Sequence, residues 1–365
     1  MSKLCPTLYF YNTMKRTIVT EDDVASFYSL FNAWLIASRG NGKDKRKDII
    51  QYSHNVEENI RNLSRKIKNG EWTPDKGRTL VIFTEGKHRK IHTVNVETRI
   101  VFQALVTAFK LEKFFVNRTF GSIKNRGTLK ANKQVRRDLY RHPELDYCLK
   151  TDYKHYYESI VKYKLMEKIN RKFKGSFAIN LFKMCIDAYN PGLENGISIG
   201  SVMSQNNGNF YLTPLDMFIM GELKIKCFSR NVDDTVILCT KERGAQIIAE
   251  LENFSAQFGL IYSKIALFPI STRRIDFCGY AVNRDGVRVR ASTVRKYFKR
   301  LYRLTKHKER IGKTRSVVSS YEGILKHGDT NHLSINIKQQ YNEIFNRINR
   351  HTAFERSKKR KTLAS

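Results

Sequence analysis

Acidic residues are scarce in this chain: 34 Asp and Glu stand against 67 Lys and Arg, giving a net charge of +33 over 365 residues. A charge of that size opposes compaction unless something neutralises it. A merely solvated basic surface is therefore a poor explanation, and a polyanion such as nucleic acid is the expected partner. Paired cysteines are also missing. The six present (Cys5, Cys148, Cys185, Cys227, Cys239 and Cys278) are scattered without a C-x-x-C pair, which argues against a zinc ribbon and a disulfide framework. Several lie in apolar runs, where small reduced core residues belong. No stretch approaches the ~20 apolar residues of a membrane span, so no membrane partner is expected. The opening Met1-Ser2-Lys3-Leu4-Cys5-Pro6 has no signal-peptide pattern, and a cytoplasmic location is the expectation. What is present, 41% hydrophobic and 12% aromatic residues, suits a folded chain of two or three subdomains.

The most informative local feature is Asn231-Val232-Asp233-Asp234, which runs into Thr235-Val236-Ile237-Leu238. Two adjacent acids at the head of a β-branched strand repel each other unless something positive holds them. A divalent metal with oxygen ligands is the usual holder. A second apolar stretch, Cys148-Leu149-Lys150-Thr151-Asp152-Tyr153, delivers another carboxylate to a strand end. Asp152 alone is equally readable as a surface strand end. Acids from two neighbouring strands converging on metal are what two-metal phosphoryl or nucleotidyl transfer requires.

Thr20 followed by Asp23 makes a capping-box variant that starts a helix, with Val24, Phe27, Phe31, Trp34 and Leu35 along one stripe and Gly40 at its end. Residues 41–48 form a polar turn, and a second amphipathic helix runs from about Asp48 to Lys68. Residues 79–94 read as a β-hairpin around Glu85-Gly86, flanked by Lys87, His88, Arg89 and Lys90. Helices are expected over 96–115, over most of 165–189 up to the Pro191-Gly192 break, and over 204–220 after a glycine-bounded loop at 196–200. Strands are expected at 146–152, 224–230 and 235–239, then a helix at 242–257, and strands at 277–282 and 286–290 joined through Asp285-Gly286. From Ser292 the chain is helical and basic. Val294, Tyr297, Phe298, Leu301 and Leu304 form one face, and Arg295, Lys296, Lys299, Arg300, Arg303 and Lys306 the other. Such a face can be simply solvated, but cations uninterrupted by acids and interleaved with aromatics favour nucleic acid.

This order of acid strand, glycine-bounded loop opening a helix, and Asp-Asp hairpin resembles the palm of reverse transcriptases, over roughly residues 75–310. The resemblance implies an α+β fold with the right-hand polymerase architecture: fingers, a palm of antiparallel sheet backed by helices, and a helical thumb. The boundaries it suggests are an N-terminal helical extension at 1–74, fingers at 75–145, and palm at 146–290 with a helical insertion near 160–190. A basic helical thumb follows at 291–355 and a disordered basic tail at 356–365. It implies that Asp152, Asp233 and Asp234, with the main-chain carbonyl of Tyr153, hold two Mg²⁺ ions. Tyr157 corresponds to the residue that packs under the sugar and excludes a 2′-hydroxyl, while Tyr156 beside it faces the core. Arg89, in Arg89-Lys90-Ile91, matches the finger arginine that forks onto phosphate oxygens; Lys87 and Lys90 are weaker candidates. Arg99 resembles the arginine opening the next finger helix, with a structural role. Phe120-Gly121 with Arg126-Gly127 resembles the following finger motif. Lys264 resembles the lysine near the triphosphate, though a surface lysine fits as well. Phe277-Cys278-Gly279-Tyr280 resembles the primer-grip turn, where Gly279 lets backbones approach closely. Arg295, Lys299 and Arg303 would grip the primer–template duplex.

The loop itself reads Ile199-Gly200-Ser201-Val202-Met203-Ser204-Gln205. Most reverse transcriptases carry Gln-Gly at its start and Ser-Pro at its end. The Ile-Gly start and Ser-Gln end are similar to the reverse transcriptases of diversity-generating retroelements, a group II intron-like branch found in bacteria and phages. That resemblance implies error-prone copying, with errors opposite adenine, of a template-repeat RNA into cDNA that replaces a variable repeat. Ile199, Gly200, Ser204 and Gln205 would lie against the nascent base pair. Partners would be template RNA and its cDNA primer duplex, deoxynucleoside triphosphates, and a small basic accessory variability protein. No maturase extension, RNase H or endonuclease domain is visible. Asn231 departs from the pattern, since an aromatic usually stands there and packs against the primer end. A retron-like or antiphage reverse transcriptase, and a nonenzymatic RNA-binding protein with a degenerate palm, are the alternatives. Paired acids with metal also serve nucleases, but a nuclease would not need the finger arginine, glycine-loop helix and basic helices in this order.

Overall fold

The structure, a computed structural model, describes residues 15–40, 42–43, 45–84, 87–190, 192–307 and 309–364, without the side chains of 84, 87, 356 and 358–364. Cys5, the Glu85-Gly86 turn, the Lys87 side chain and Pro191 therefore lie outside the described residues. The chain is a mixed α+β protein that divides into two compact units. One comprises 1–127, 149–237 and 242–266; the other comprises 128–148, 238–241 and 267–365.

The first unit opens with β1 (Thr17–Ile18), and Thr20 then caps Glu21–Ala25 through a complete capping box with Asp23. Ser26 ends that short helix in an extended conformation and caps the next, Phe27–Ser38, by accepting from the Ser29 N–H. The single helix expected there is thus two, because Ser26 competes for backbone groups as serine does at caps. The following helix is also two, Lys47–His54 and Val56–Lys68, broken at Asn55, whose side chain makes no cap hydrogen bond to the second. The expected hairpin is present as β2 (Arg78–Thr84) and β3 (Lys87–Thr93), antiparallel with Leu80 opposite Ile91 and Ile82 opposite Arg89. Helix Val96–Phe109 follows, capped by Asn95 and buried along Ile100, Val101, Leu105 and Phe109. Arg99 on it bonds Asp48, a structural tie to the N-terminal helices.

A five-stranded sheet carries the acids, in the order β4 (Thr119–Phe120), β7 (Phe228–Asn231), β8 (Asp234–Cys239), β5 (Tyr147–Tyr153), β9 (Tyr262–Pro269). β7 and β8 pair antiparallel, but β4 joins β7 in parallel, so the sheet is mixed and not the wholly antiparallel one expected. β8 is buried at every position after Asp234, which explains its unbroken apolar run. β9 went unrecognised as a strand because Tyr262-Ser263-Lys264 interrupts the apolar alternation. The helices Lys162–Lys172 and Ser176–Asp187 flank β6 (Phe173–Lys174), which pairs with β1. The loop helix expected over 204–220 begins at Val202 and breaks at Leu212, giving Val202–Tyr211 and Thr213–Gly221. Helix Lys241–Ala256 follows β8.

In the second unit, helix Thr128–Arg141 packs near a three-stranded antiparallel sheet of β10 (Ile275–Phe277), β11 (Tyr280–Val282) and β12 (Val287–Val289). The strand expected over 277–282 is a hairpin. Phe277 pairs with Tyr280 across a two-residue turn in which Cys278 (φ 49°) and Gly279 (φ 87°) are both left-handed, as a type I′ turn demands. Four helices follow, Ala291–Lys306, Ile311–Leu325, Asn331–Gln340 and Asn342–Ala364. The last continues through most of the expected disordered tail, because Arg, Lys and Ala there are good helix formers. Cys148, Cys185, Cys227 and Cys239 are buried as small core residues. No helix among the described residues is long and apolar enough to cross a membrane.

Gly175 shows how tightly β1 is seated. Its φ is 114°, and a Cβ there would lie 1.9 Å from the Val19 carbonyl oxygen. Gly175→Ala is expected to cost about 2–4 kcal/mol, read as a lower urea midpoint; an unchanged midpoint would show that the β1–β6 seam contributes nothing.

Candidate active site

Asp152 lies on β5 and Asp234 at the start of β8, and these strands are neighbours in the sheet. Asp233 sits in the turn between β7 and β8, whose register pairs Asn231 with Asp234. The turn is narrow, and Val232 takes φ 62° to make it. A β-branched residue in that region is strained by about 1–3 kcal/mol and persists only where its surroundings over-determine it.

The three carboxylates feel one another. Burial and then the charge of Asp152 push the Asp233 carboxyl up to about 6, against the relief given by Arg230 and Arg89. Burial likewise pushes Asp234 up to about 6; Lys150 opposes the shift, while Asp152 and Asp233 add to it. Lys150 Nζ stands 3.3 Å from Asp234 Oδ2. Lys150 and Asp152 are two residues apart on β5, so both project from one face of the strand. The other oxygen, Asp234 Oδ1, is buried with no hydrogen-bond partner among the described residues. Ser263 on β9 donates to Asp152 at both Oδ2 (3.2 Å) and the main-chain oxygen (3.1 Å). Lys150 and Ser263 thus engage Asp234 and Asp152, and among the described residues no three acidic, His or Cys side chains are arranged to hold a metal as they stand. The donor set nevertheless suits Mg²⁺: all oxygen, with one buried carboxylate oxygen unpaired and two acids whose ionisation is resisted.

Arg89, Tyr156 and Tyr157 are brought within electrostatic reach of Asp233. Arg89 on β3 is exposed and its charge reaches Asp233. Tyr157 is held near Asp233, whose charge adds to burial in raising its phenol, and its ring packs beside Gly208. Tyr156 is buried and donates to the Gly208 carbonyl at 2.6 Å. The glycine loop is pinned to β3: the His92 N–H donates to the Ile199 carbonyl (2.9 Å), and a Cβ on Gly200 would meet Ile91 at 2.8 Å. Ile199 and Gln205 are half-buried. Ser204 is buried and its hydroxyl is shared with Ser198 (2.9 Å) and Ser201 (2.8 Å), so it serves the helix start. Tyr153 is also buried, its ring stacked on Tyr262 at 4.3 Å and its hydroxyl bonded to Ser255 and Tyr262.

Lys264 is exposed, and strand alternation sends it to the face opposite Ser263. Arg126 bonds the Val116 carbonyl and Asn117, holding its own loop. In the second unit Phe277 and Tyr280 are buried, and Tyr280 donates to the Ile324 carbonyl. Arg295, Lys299 and Arg303 are exposed at i, i+4 and i+8 on one helix face, opposite buried Tyr297, Leu301 and Leu304. Asn231 lies against Gly121, where a Cβ would stand 2.4 Å from its Oδ1. A cleft of about 1160 Å³ is lined by residues such as Lys162, Arg171 and Lys183, and includes none of these site residues. Arg171 and Lys183 are already paired with Glu167 and Asp187.

Because the folded-state carboxyls of Asp233 and Asp234 titrate near 6, above the unfolded value of about 4, the folded protein holds their protons more tightly between those limits. Their contribution to stability therefore falls as pH rises from about 4 to 6 and stays low above it. Without divalent metal, the melting-temperature advantage of Asp233→Asn over the parent should grow from pH 4.5 to 7.5. Mg²⁺ should raise the parent's melting temperature at pH 7.5 more than at pH 4.5. A pH-independent difference with no Mg²⁺ effect would contradict this electrostatic picture.

No family model matches the chain, and no curated protein matches it. Among solved structures, an apo telomerase from Candida tropicalis, truncated from its C-terminal domain, is similar with a TM-score of 0.45 and 14% identity. The match covers 59% of this chain and 55% of that one, so the chain spans about half the length of that telomerase chain. A likeness this distant decides nothing about the chemistry.

Proposed function

We propose that this chain is an RNA-directed DNA polymerase whose centre is Asp152, Asp233 and Asp234. The observation that carries the reading is the convergence of these acids from adjacent strands, with Arg89 of the β2–β3 hairpin acting on the same Asp233. In this reading the 3′-hydroxyl of a primer attacks the α-phosphorus of a deoxynucleoside triphosphate. The new P–O bond forms as the α–β bridge breaks, pyrophosphate leaves, and the hydroxyl proton is lost. Two Mg²⁺ ions held by the three carboxylates and the Tyr153 carbonyl would favour the ionised hydroxyl and take up charge on the departing pyrophosphate. Arg89 would fork onto phosphate oxygens. Tyr157 would lie under the sugar, where a 2′-hydroxyl has no room. The exposed cations Arg295, Lys299 and Arg303 would follow a duplex backbone, with affinity that falls steeply with salt. The fingers, palm and thumb divisions belong to this proposal.

Within that class we favour the diversity-generating subtype, working with a template-repeat RNA and a small basic accessory protein. The support is the run from Ile199 to Gln205. Ile199 offers no side-chain hydrogen bond where a glutamine would offer two kinds. Fidelity is a small energy difference, since ~1.4 kcal/mol is tenfold. Loose positioning by an apolar side chain would therefore be enough to raise errors.

Primer extension on an RNA template tests both levels. With Mg²⁺ the parent should extend the primer, and Asp233→Asn should lose at least 10³-fold in rate, about 4 kcal/mol of barrier, while binding RNA as the parent does. Extension by Asp233→Asn at the parental rate would remove the proposed centre. Sequenced cDNA from the parent should carry errors concentrated opposite adenine, and Ile199→Gln should reduce them several-fold. An unchanged error spectrum in Ile199→Gln would detach fidelity from this loop.

A further inference from the structure

Arg230 heads the fully buried side chains by volume, with no exposed surface. All five of its N–H groups have acceptors. Nε donates to Asp216 Oδ1 at 2.7 Å, and Nη2 to Asp216 Oδ2 and the Asn209 carbonyl (3.4 Å). Nη1 donates to Asn209 Oδ1 (3.2 Å) and to the main-chain oxygen of Val232 (2.7 Å). Asp216 is itself fully buried and also accepts from the Thr119 hydroxyl at 2.8 Å. Asn209 continues the chain of contacts to the Gly121 carbonyl at 3.0 Å. β4, two helices and β7 are thereby tied to one peptide oxygen. That oxygen belongs to the left-handed Val232, which sits between Asn231 and Asp233.

We propose that Arg230, anchored by Asp216, is a positioning residue for Asp233 and Asp234. Its bond to the Val232 carbonyl holds the strained turn in the one conformation that aims both carboxylates at the Asp152 side of the site. The proposal rests on the reading of that site as metal-dependent. A buried ion pair is weak evidence for stability as such, because apolar replacements of similar volume are often neutral or better. A bond from that pair to the turn gives it a role that apolar residues could not fill. The choice of arginine follows from donor count. Lysine offers three N–H groups from a single atom and cannot fork Asp216 while reaching Asn209 and Val232.

The test uses the full-length protein and Mn²⁺ binding followed by electron paramagnetic resonance, with thermal denaturation alongside. Arg230→Lys keeps the charge opposite Asp216; Arg230→Met combined with Asp216→Leu removes the pair without leaving a lone buried charge. Both should weaken Asp233-dependent Mn²⁺ binding at least tenfold and raise the Mg²⁺ needed for primer extension by a similar factor, with RNA affinity within twofold of the parent. Adding Val232→Gly to Arg230→Lys should recover most of the lost affinity, because glycine accepts the left-handed turn without being held there. Parental Mn²⁺ affinity in the variants would overturn the proposal. So would a loss that Val232→Gly does not restore, since that marks a general stability element. If the double replacement does not fold, Arg230→Lys with and without Val232→Gly decides. A parent that binds Mn²⁺ through Asp233, weakened by these variants, yet incorporates no nucleotide, would overturn the polymerase reading and support the positioning role.

Discussion

Like charges brought together out of water must be faced by something positive, and much of the first unit is arranged around that demand. Asp233 and Asp234 share a turn, and Asp152 adds its charge from the neighbouring strand. The chain supplies three cations of its own. Lys150 reaches Asp234 from the face of β5 that carries Asp152. Arg89 acts on Asp233 from the exposed hairpin, and Arg230 acts on it from within the core. These offset the repulsion in part, since both carboxyls of the turn still ionise reluctantly. In the proposed reading, divalent metal bound at this centre would relieve a cost the fold already carries.

The three cations differ in kind, and the difference follows from where each is placed. Arg230 is permanently buried and fully hydrogen-bonded, so it fixes backbone geometry and cannot move to meet a ligand. Lys150 stands 3.3 Å from Asp234 at the end of a flexible stem, and so it can yield to a stronger charge. Arg89 lies exposed on a two-stranded hairpin whose opposite strand displays Leu80, Val81, Ile82 and Phe83 to solvent. An exposed guanidinium beside exposed apolar and aromatic side chains is suited to a ligand with both phosphates and bases. The pinning of Ile199 and Gly200 to β3 makes the hairpin and the glycine loop one local unit.

The parts legible in the sequence were those whose signal is local. The capping box at Thr20, the β2–β3 hairpin, the Asp-Asp turn and the one-sided helix from Ala291 each declare themselves within a few residues. What escaped notice depends on partners far apart in sequence. Arg230 and Asp216 lie 14 residues apart, and Thr119 lies 97 from Asp216; nothing local distinguishes them from surface polar residues. Ser263 was hidden because β9 does not alternate cleanly, and it meets Asp152 111 residues away. The Cys278-Gly279 turn is marked only by the resemblance, because cysteine is not a marker of left-handed turns. The helix break at Ser26 follows from a side chain that competes for backbone hydrogen bonds. Ser204, a motif residue expected at a ligand, has its hydroxyl engaged with Ser198 and Ser201 within the protein.

The most direct measurement is a crystal structure with Mn²⁺, a primer–template and a non-hydrolysable deoxynucleoside triphosphate, read by anomalous scattering. The account predicts two metal peaks bridging Asp152, Asp233 and Asp234 to the triphosphate, with the Lys150 ammonium withdrawn from Asp234 and the Val232 carbonyl still bonded to Arg230. A bound nucleotide with no metal between these acids, and the Lys150–Asp234 pair intact, would contradict it.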